Sequence, residues 1–317
     1  MRKTSMIFVP ILIIAIFISG CSPQAAPATQ NEDGLTVSVS ILPQKYFVER
    51  IGGDQVRVNV MVGPGDSPHD YEPKPSQMTS LSESDVYFSI GVEFEDAWMD
   101  RISSANSEML IVDLTQEINL IPIEAHHHHD EADHEDHDHE EEHADEDHAD
   151  EDSDHAENLD PHIWLSPANG AVMAEKITET LSAIDPDHTA TYQNNLDALL
   201  ADISQLQEET RTALADLDTR LFIVFHPAWG YFAQEFDLQQ IPVEVAGNEP
   251  SASELAELIG EAQEENISVI FAQPEFSTRS AEYIASELNG KVVLISPLAE
   301  DWLENLRAVS KTFAEEL

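Results

Sequence analysis

Fourteen histidines occur in this chain of 317 residues, and ten of them crowd between His126 and His155. The other four have individual settings. His69 lies in Gly63-Pro64-Gly65-Asp66-Ser67-Pro68-His69-Asp70-Tyr71-Glu72-Pro73, where glycine and proline hold an irregular backbone that can aim a ligand. His162 lies in Asp160-Pro161-His162-Ile163-Trp164-Leu165-Ser166-Pro167. His226 follows the apolar run Leu221 to Phe225 and precedes Pro227-Ala228-Trp229-Gly230-Tyr231-Phe232. His188 sits in the polar helix-start turn Asp185-Pro186-Asp187-His188 and is set aside. Each histidine taken singly also fits a structural role. Three imidazoles aimed at one point form a site of intermediate softness that suits zinc.

The elements that must aim them are legible in the apolar pattern. Short β-branched runs at Leu35 to Ile41, Val56 to Val62, Asp85 to Ile90 and Met109 to Leu114 are separated by stretches long enough for helices. A second set follows at Leu221 to Phe225, Ile241 to Val245, Val269 to Ala272 and Val292 to Ile295. Such alternation predicts two similar α/β lobes with mainly parallel sheets. Between them Tyr192, Leu196, Leu199, Ile203, Leu206, Leu214 and Leu217 recur at helical spacing, predicting one amphipathic helix of about seven turns. It reads as a long rigid strut between the lobes or, alternatively, as a helix inside one of them. The expected organisation is an N-terminal lobe over 34–185, a linking helix over 186–217 and a C-terminal lobe over 218–317. In open α/β sheets ligands bind at the carboxyl ends of strands. That rule places His69 and His162 of one lobe opposite His226 of the other, with the metal between. Farther on, Ser251 with Glu254 three residues later reads as a capping box opening a helix toward Glu265.

The chain's start and its histidine tract differ from this pattern. Arg2 and Lys3 precede an apolar run, Met6 to Ile18, that is short for a membrane span and ends at Ser19-Gly20-Cys21. Residues 1–20 read as a signal peptide, and Ile18-Ser19-Gly20-Cys21 looks like a lipobox with Cys21 as the lipid attachment site. An ordinary secretory signal with an incidental cysteine is the alternative. Cys21 is the sole cysteine, so no disulfide forms within the chain. Residues 21–33 read as a flexible tether. Over 124–158, His126, His127, His128, His129, His134, His137, His139, His143, His148 and His155 alternate with Asp and Glu, with no aromatic to bury. This loop is expected to be disordered. It reads as a low-affinity metal collector or, more plainly, as a solvated acidic insertion.

The chain has 62 acidic against 14 basic residues, a formal net charge of −48 at pH 7. Such a polyanion repels nucleic acid and anionic headgroups, and its self-repulsion suggests a saline habitat where cations screen it.

The His69, His162 and His226 motifs, in this order and at these separations, resemble those of the metal-receptor lipoproteins of ABC importers, in the zinc-binding ZnuA-like branch. The resemblance covers nearly all of the mature chain, including the tract before His162 and the Pro-Leu-Ala after Ser296. It implies two α/β lobes joined by a long helix, Zn2+ held between them as the transported ligand, and metal-ligand roles for His69, His162 and His226. It further implies a monomeric, non-enzymatic receptor at the outer face of the cytoplasmic membrane, handing zinc to a permease with a cytoplasmic ATPase. A histidine at position 226, where manganese-binding relatives typically carry a carboxylate, favours zinc over manganese or iron. One departure is Ser296, where many relatives have an aspartate ligand. A serine hydroxyl is a poor zinc ligand, so three histidines plus water are expected, with Glu275, Glu300 and Asp301 as substitutes on position alone. The remaining alternatives are a zinc buffer or adhesin on the same fold, and a secreted zinc hydrolase. Against the hydrolase, no His-Glu-x-x-His occurs outside the histidine tract, where His139-Glu140-Glu141-Glu142-His143 is part of the low-complexity alternation.

Overall fold

The computed structural model describes residues 34–123, 159–244, 248–275 and 278–317. The signal, Cys21, the tether and the ten-histidine tract lie outside them. Among the described residues, eight strands form two four-stranded parallel sheets ordered β2-β1-β3-β4 and β6-β5-β7-β8. The first contains β1 (Leu35–Val39), β2 (Val56–Val60), β3 (Val86–Ser89) and β4 (Leu110–Asp113). The second contains β5 (Leu221–Val224), β6 (Gln239–Pro242), β7 (Val269–Ala272) and β8 (Lys291–Leu294). The two orders are the same, so each lobe has its crevice at the carboxyl ends of equivalent strands.

Helices follow the strands as parallel connections require. In the first lobe these are α1 (Leu42–Gly52), α2 (Pro75–Leu81), α3 (Glu93–Ala105) and α4 (Pro167–Ile184). After α5 (Thr189–Ala213) come α6 (Gly230–Glu235), α7 (Ala252–Glu264), α8 (Arg279–Glu287) and α9 (Trp302–Glu316). The long helix α5 has 25 residues, about 37 Å at the standard rise. Its buried stripe of Tyr192, Leu196, Leu199, Ile203 and Leu206 matches the predicted periodicity. Leu214 and Leu217 lie beyond its end and pack from the following coil. It contacts α1 and α4 on one side and α9 on the other. The α7 capping box forms as expected, with the Ser251 hydroxyl accepting from the Glu254 N–H at 3.3 Å.

Strand β6 starts two residues before the apolar run that announces it. Gln239 and Gln240 pair with Leu221 and Phe222, and their polarity hides them from a search for apolar runs. Gln240 is buried, its amide oxygen accepting from the Trp229 N–H at 3.1 Å. The chain continues beside β5 beyond Pro242, the Glu244 N–H donating to the Phe225 carbonyl at 3.0 Å. Glu244 thereby arrives beside His226.

One apolar core runs through both lobes. In β5, Phe222 and Val224 join it, while Ile223 and, just past the strand, Phe225 face a separate layer under α7 and α8, the period-two alternation of a strand covered on both faces. Two buried tryptophans stitch the lobes together. The Trp164 indole donates to the Pro297 carbonyl at 2.7 Å, and the Trp302 indole to the Trp164 carbonyl at 2.6 Å. A continuous, well-bonded interface of this kind resists hinge motion.

Candidate metal centre

The structure brings His69, His162 and His226 together, one ring nitrogen from each lying within 4.8 Å of the others. His69 comes from the loop after β2, His162 from the single-turn helix-like segment leading to α4, and His226 from the carboxyl end of β5. The Nε2 atoms of His162 and His226 are 3.3 Å apart. Two ligands of a tetrahedral zinc at its usual bond length lie about 3.3 Å apart, so the pair already has the spacing of a shared ion.

Each imidazole is held through Nδ1 by its own carboxylate. Glu93 Oε1 lies 2.8 Å from His69, Asp160 Oδ1 2.7 Å from His162 and Glu244 Oε2 2.7 Å from His226. Donation of Nδ1–H to a carboxylate leaves the Nε2 lone pair for a metal and supplies compensating negative charge just behind the ligands. The sequence motifs do not single out Glu93, Asp160 or Glu244. Asp160 has a signal, since it stands two residues before His162 in the same motif. Glu93 and Glu244 have none, because only the parallel strand order brings them beside histidines 24 and 18 residues away.

The protonation balance differs across the site. Burial is the largest influence on His226 and lowers its pKa, with His162 and His69 adding to this against Glu244. Burial also opposes charge on His69, but the Glu93 hydrogen bond and charge, aided by Glu244 and Asp70, carry its pKa above the usual 6.5. In Glu93, burial favours the neutral acid, yet the His69 bond and charge prevail and hold it at about 2. His226 is thus ready to ligate, whereas His69, more readily protonated beside Glu93, must give up its Nε2 proton before a metal can bind there.

Around His162 and His226 the two lobes are bolted together. The Tyr231 hydroxyl donates to the Asp160 carbonyl at 2.8 Å and accepts from the Ile121 N–H at 3.2 Å. A β-carbon at Gly230 would stand 2.8 Å from Asp160 Oδ2, so glycine is what lets α6 approach this carboxylate. Glu235 at the end of α6 accepts from the Ser166 hydroxyl at 2.5 Å and the Ala168 N–H at 3.0 Å. These bonds cap α4 from the opposite lobe.

The fourth-position candidates are engaged elsewhere. Glu275 Oε1 accepts from the Ser296 hydroxyl at 2.7 Å, Glu300 pairs with Lys45, and Asp301 caps α9 by accepting from the Glu304 N–H at 3.3 Å. None of the three belongs to the histidine cluster. Negative charge beside the rings comes instead from Glu93, Asp160 and Glu244.

Residues 37–316, which carry all of this geometry, match the family model described as zinc-uptake complex component A, periplasmic (ZnuA). The chain belongs to the ZnuA family. It is 29% identical over 305 residues to the high-affinity zinc uptake system protein ZnuA of Bacillus subtilis, covering 94% of this chain and 89% of that one. A crystal structure of ZnuA superposes with a TM-score of 0.78 at 40% identity, over 90% of this chain and 99% of the other. A zinc-bound ZnuA deletion mutant superposes equally well, with 98% of its chain covered. Membership accounts for the paired parallel sheets and the motif order.

Proposed function

We propose that this ZnuA-family chain is an extracytoplasmic zinc receptor that captures Zn2+ between its lobes and hands it to an ABC-type importer. The observation that carries this reading is the convergence of three carboxylate-backed imidazoles, with His162 and His226 at zinc spacing. In this reading His69, His162 and His226 bind the ion through Nε2. Glu93, Asp160 and Glu244 fix the tautomers and offset the charge. A solvent molecule completes four-coordination near Ser296. The binding sites lie on lobes 34–185 and 218–317, joined through 186–217. Cys21 carries the lipid that holds the receptor at the outer face of the cytoplasmic membrane. The tract of 124–158 gathers zinc weakly, and the loaded receptor is presented to the permease and its ATPase as a monomer. No covalent chemistry is required of any residue.

Metal analysis of protein purified without an affinity tag tests this, together with zinc titration against a chromophoric chelator. One tightly held zinc per chain, lost in His226→Ala, is expected. Manganese or iron in its place, or tight zinc binding that survives loss of His226, would overturn the reading.

A further inference from the structure

The first turn of α3 does three things for the His69 loop. The Glu93 carboxylate holds the His69 ring. The Phe94 N–H donates to the Pro68 carbonyl at 3.1 Å. The Phe94 ring packs edge-on against Tyr71, with centroids 5.7 Å apart. These three contacts act on residues 68, 69 and 71, so the His69 ring follows this turn, while the Tyr71 hydroxyl is also tied to Gln77 of α2 at 2.7 Å. Yet the turn lacks an ordinary anchor, because its N-cap is Val92, whose side chain makes no capping bond. It is preceded by Gly91 at φ 80°, a left-handed conformation open to glycine, whose backbone freedom leaves the turn to be constrained by its surroundings.

The constraint comes from Glu95. Its carboxylate is buried, and it accepts from the Ile90 N–H at 3.1 and 3.2 Å, from the Gly91 N–H at 2.8 Å and from the Ser40 hydroxyl. Ser40 in turn lies 2.7 Å from the Tyr87 hydroxyl on β3. All of these partners are neutral donors. A carboxylate taken out of water without a cation is costly, and an apolar residue would fill the space more cheaply. What the carboxylate adds is several acceptor positions converging on one turn, tied to β1 and β3 of the sheet.

We infer that Glu95 is a positioning residue of the metal site, fixing the 90–92 turn so that Glu93 and Phe94 set His69 against the other two histidines. The inference rests on the proposed ligand role of His69. Glu95 touches no ligand and acts only through the first turn of α3.

The test is a double-mutant cycle in the full chain, read as zinc affinity by chelator competition. Glu95→Ala is expected to lower affinity roughly ten- to a hundredfold, the range for groups that orient metal ligands. Glu95→Gln, which keeps an oxygen for Ile90 and Gly91, restores most of it. In a Glu93→Gln background the Glu95→Ala loss should shrink, leaving only the part that acts through Phe94. Amide exchange should quicken at 67–73 and 90–94 in Glu95→Ala and stay unchanged at 160–168 and 226–235. Should Glu95→Ala not fold, Glu95→Asp, which withdraws the oxygens by one methylene, is read in the same cycle. Undiminished loss in the Glu93→Gln background, or exchange rising equally in both regions, would make Glu95 a general stability residue and overturn the assignment. So would unchanged affinity. His162→Ala keeps the two readings apart. If it abolishes tight binding while Glu95→Ala is inert, only this assignment falls, and if both are inert the metal site itself is wrong.

Discussion

The two halves of the proposed metal site are built differently. His162 and His226 are almost fully buried, their side chains 5% exposed, on segments locked across the lobe boundary by Tyr231, Glu235, Trp164 and Trp302. His69 is 26% exposed, on a loop tied to the start of α3 and, through Tyr71, to Gln77 of α2. One half is a preformed seat made by both lobes. The other is a clip belonging to one lobe. The difference teaches that bringing two lobes together does not make every cross-lobe contact mobile. Here the boundary carries buried cross-lobe hydrogen bonds, and the His69 loop is the more exposed side of the site.

The strongest way to break this comparison is to remove one histidine at a time. His162→Ala or His226→Ala destroys the preset pair and should weaken zinc binding roughly a thousandfold, about 4 kcal/mol. His69→Ala leaves two ligands at 3.3 Å and should cost at least tenfold less, with residual binding measurable by isothermal titration. An equal loss in all three variants would mean that the seat is not preformed.

The clip's anchor also gives the comparison a pH dimension. Burial raises Glu95 from 4.5 to about 7, its hydrogen-bond donors working in the other direction. Between those values the folded chain holds a proton that the unfolded chain releases. The resulting stability is therefore complete below the unfolded value and lost as pH rises through about 7. Compared with Glu95→Gln, the metal-free wild type should lose about 2 to 3 kcal/mol between pH 5 and pH 8. Urea midpoints for the two proteins at pH 5, 6.5 and 8 measure this, and a constant difference would show that Glu95 stays ionised throughout.

Smaller effects should separate the carboxylates behind the rings. Asp160 holds both the His162 ring and its backbone N–H, the latter at 2.9 Å, so Asp160→Asn should approach the hundredfold end of the usual range and also lower the melting temperature. Glu93 is 43% exposed, and Glu93→Gln should cost nearer tenfold with little change in melting. Calorimetry of both metal-free variants checks the split. A larger melting shift for Glu93→Gln than for Asp160→Asn would reverse the roles of seat and clip.

What can be read from sequence follows from which residues advertise themselves locally. The strands of the first sheet are β-branched runs, and α5 repeats its apolar side chains at helical spacing, so both are legible in the order of residues alone. The three histidines stand out because proline- and glycine-rich loops and strand ends are where ligands are aimed. Gln239 and Gln240 in β6 do not, since a buried polar strand start carries no apolar signal. Glu93 and Glu244 are hidden among 62 acids, and nothing local distinguishes an acid behind a ligand from one in solvent. Glu95 is hidden for the same reason, being recognisable only by the backbone N–H groups folded around it.

The smallest expected effect concerns Ser296, where the chain departs from the pattern of many relatives. The departure invites the idea that a new ligand must replace the missing aspartate. The geometry argues otherwise. The Ser296 hydroxyl donates to Glu275 at 2.7 Å and accepts from the Leu298 N–H at 3.2 Å, so it fixes the loop after β8 rather than facing the histidines with a free lone pair. The charge that an aspartate would have brought is already present three times over, at one bond's remove, in Glu93, Asp160 and Glu244. Ser296→Ala should therefore change zinc affinity less than tenfold, under about 1.4 kcal/mol. Ser296→Asp is the sharper companion, because it places a fourth carboxylate beside Glu275, where repulsion raises the pKa of one of the pair. If the site's charge is already satisfied, the aspartate should bring no gain in zinc affinity at pH 7. Competition with a chelator reads both variants, and a Ser296→Ala loss as large as that of His69→Ala would place the serine oxygen on the metal.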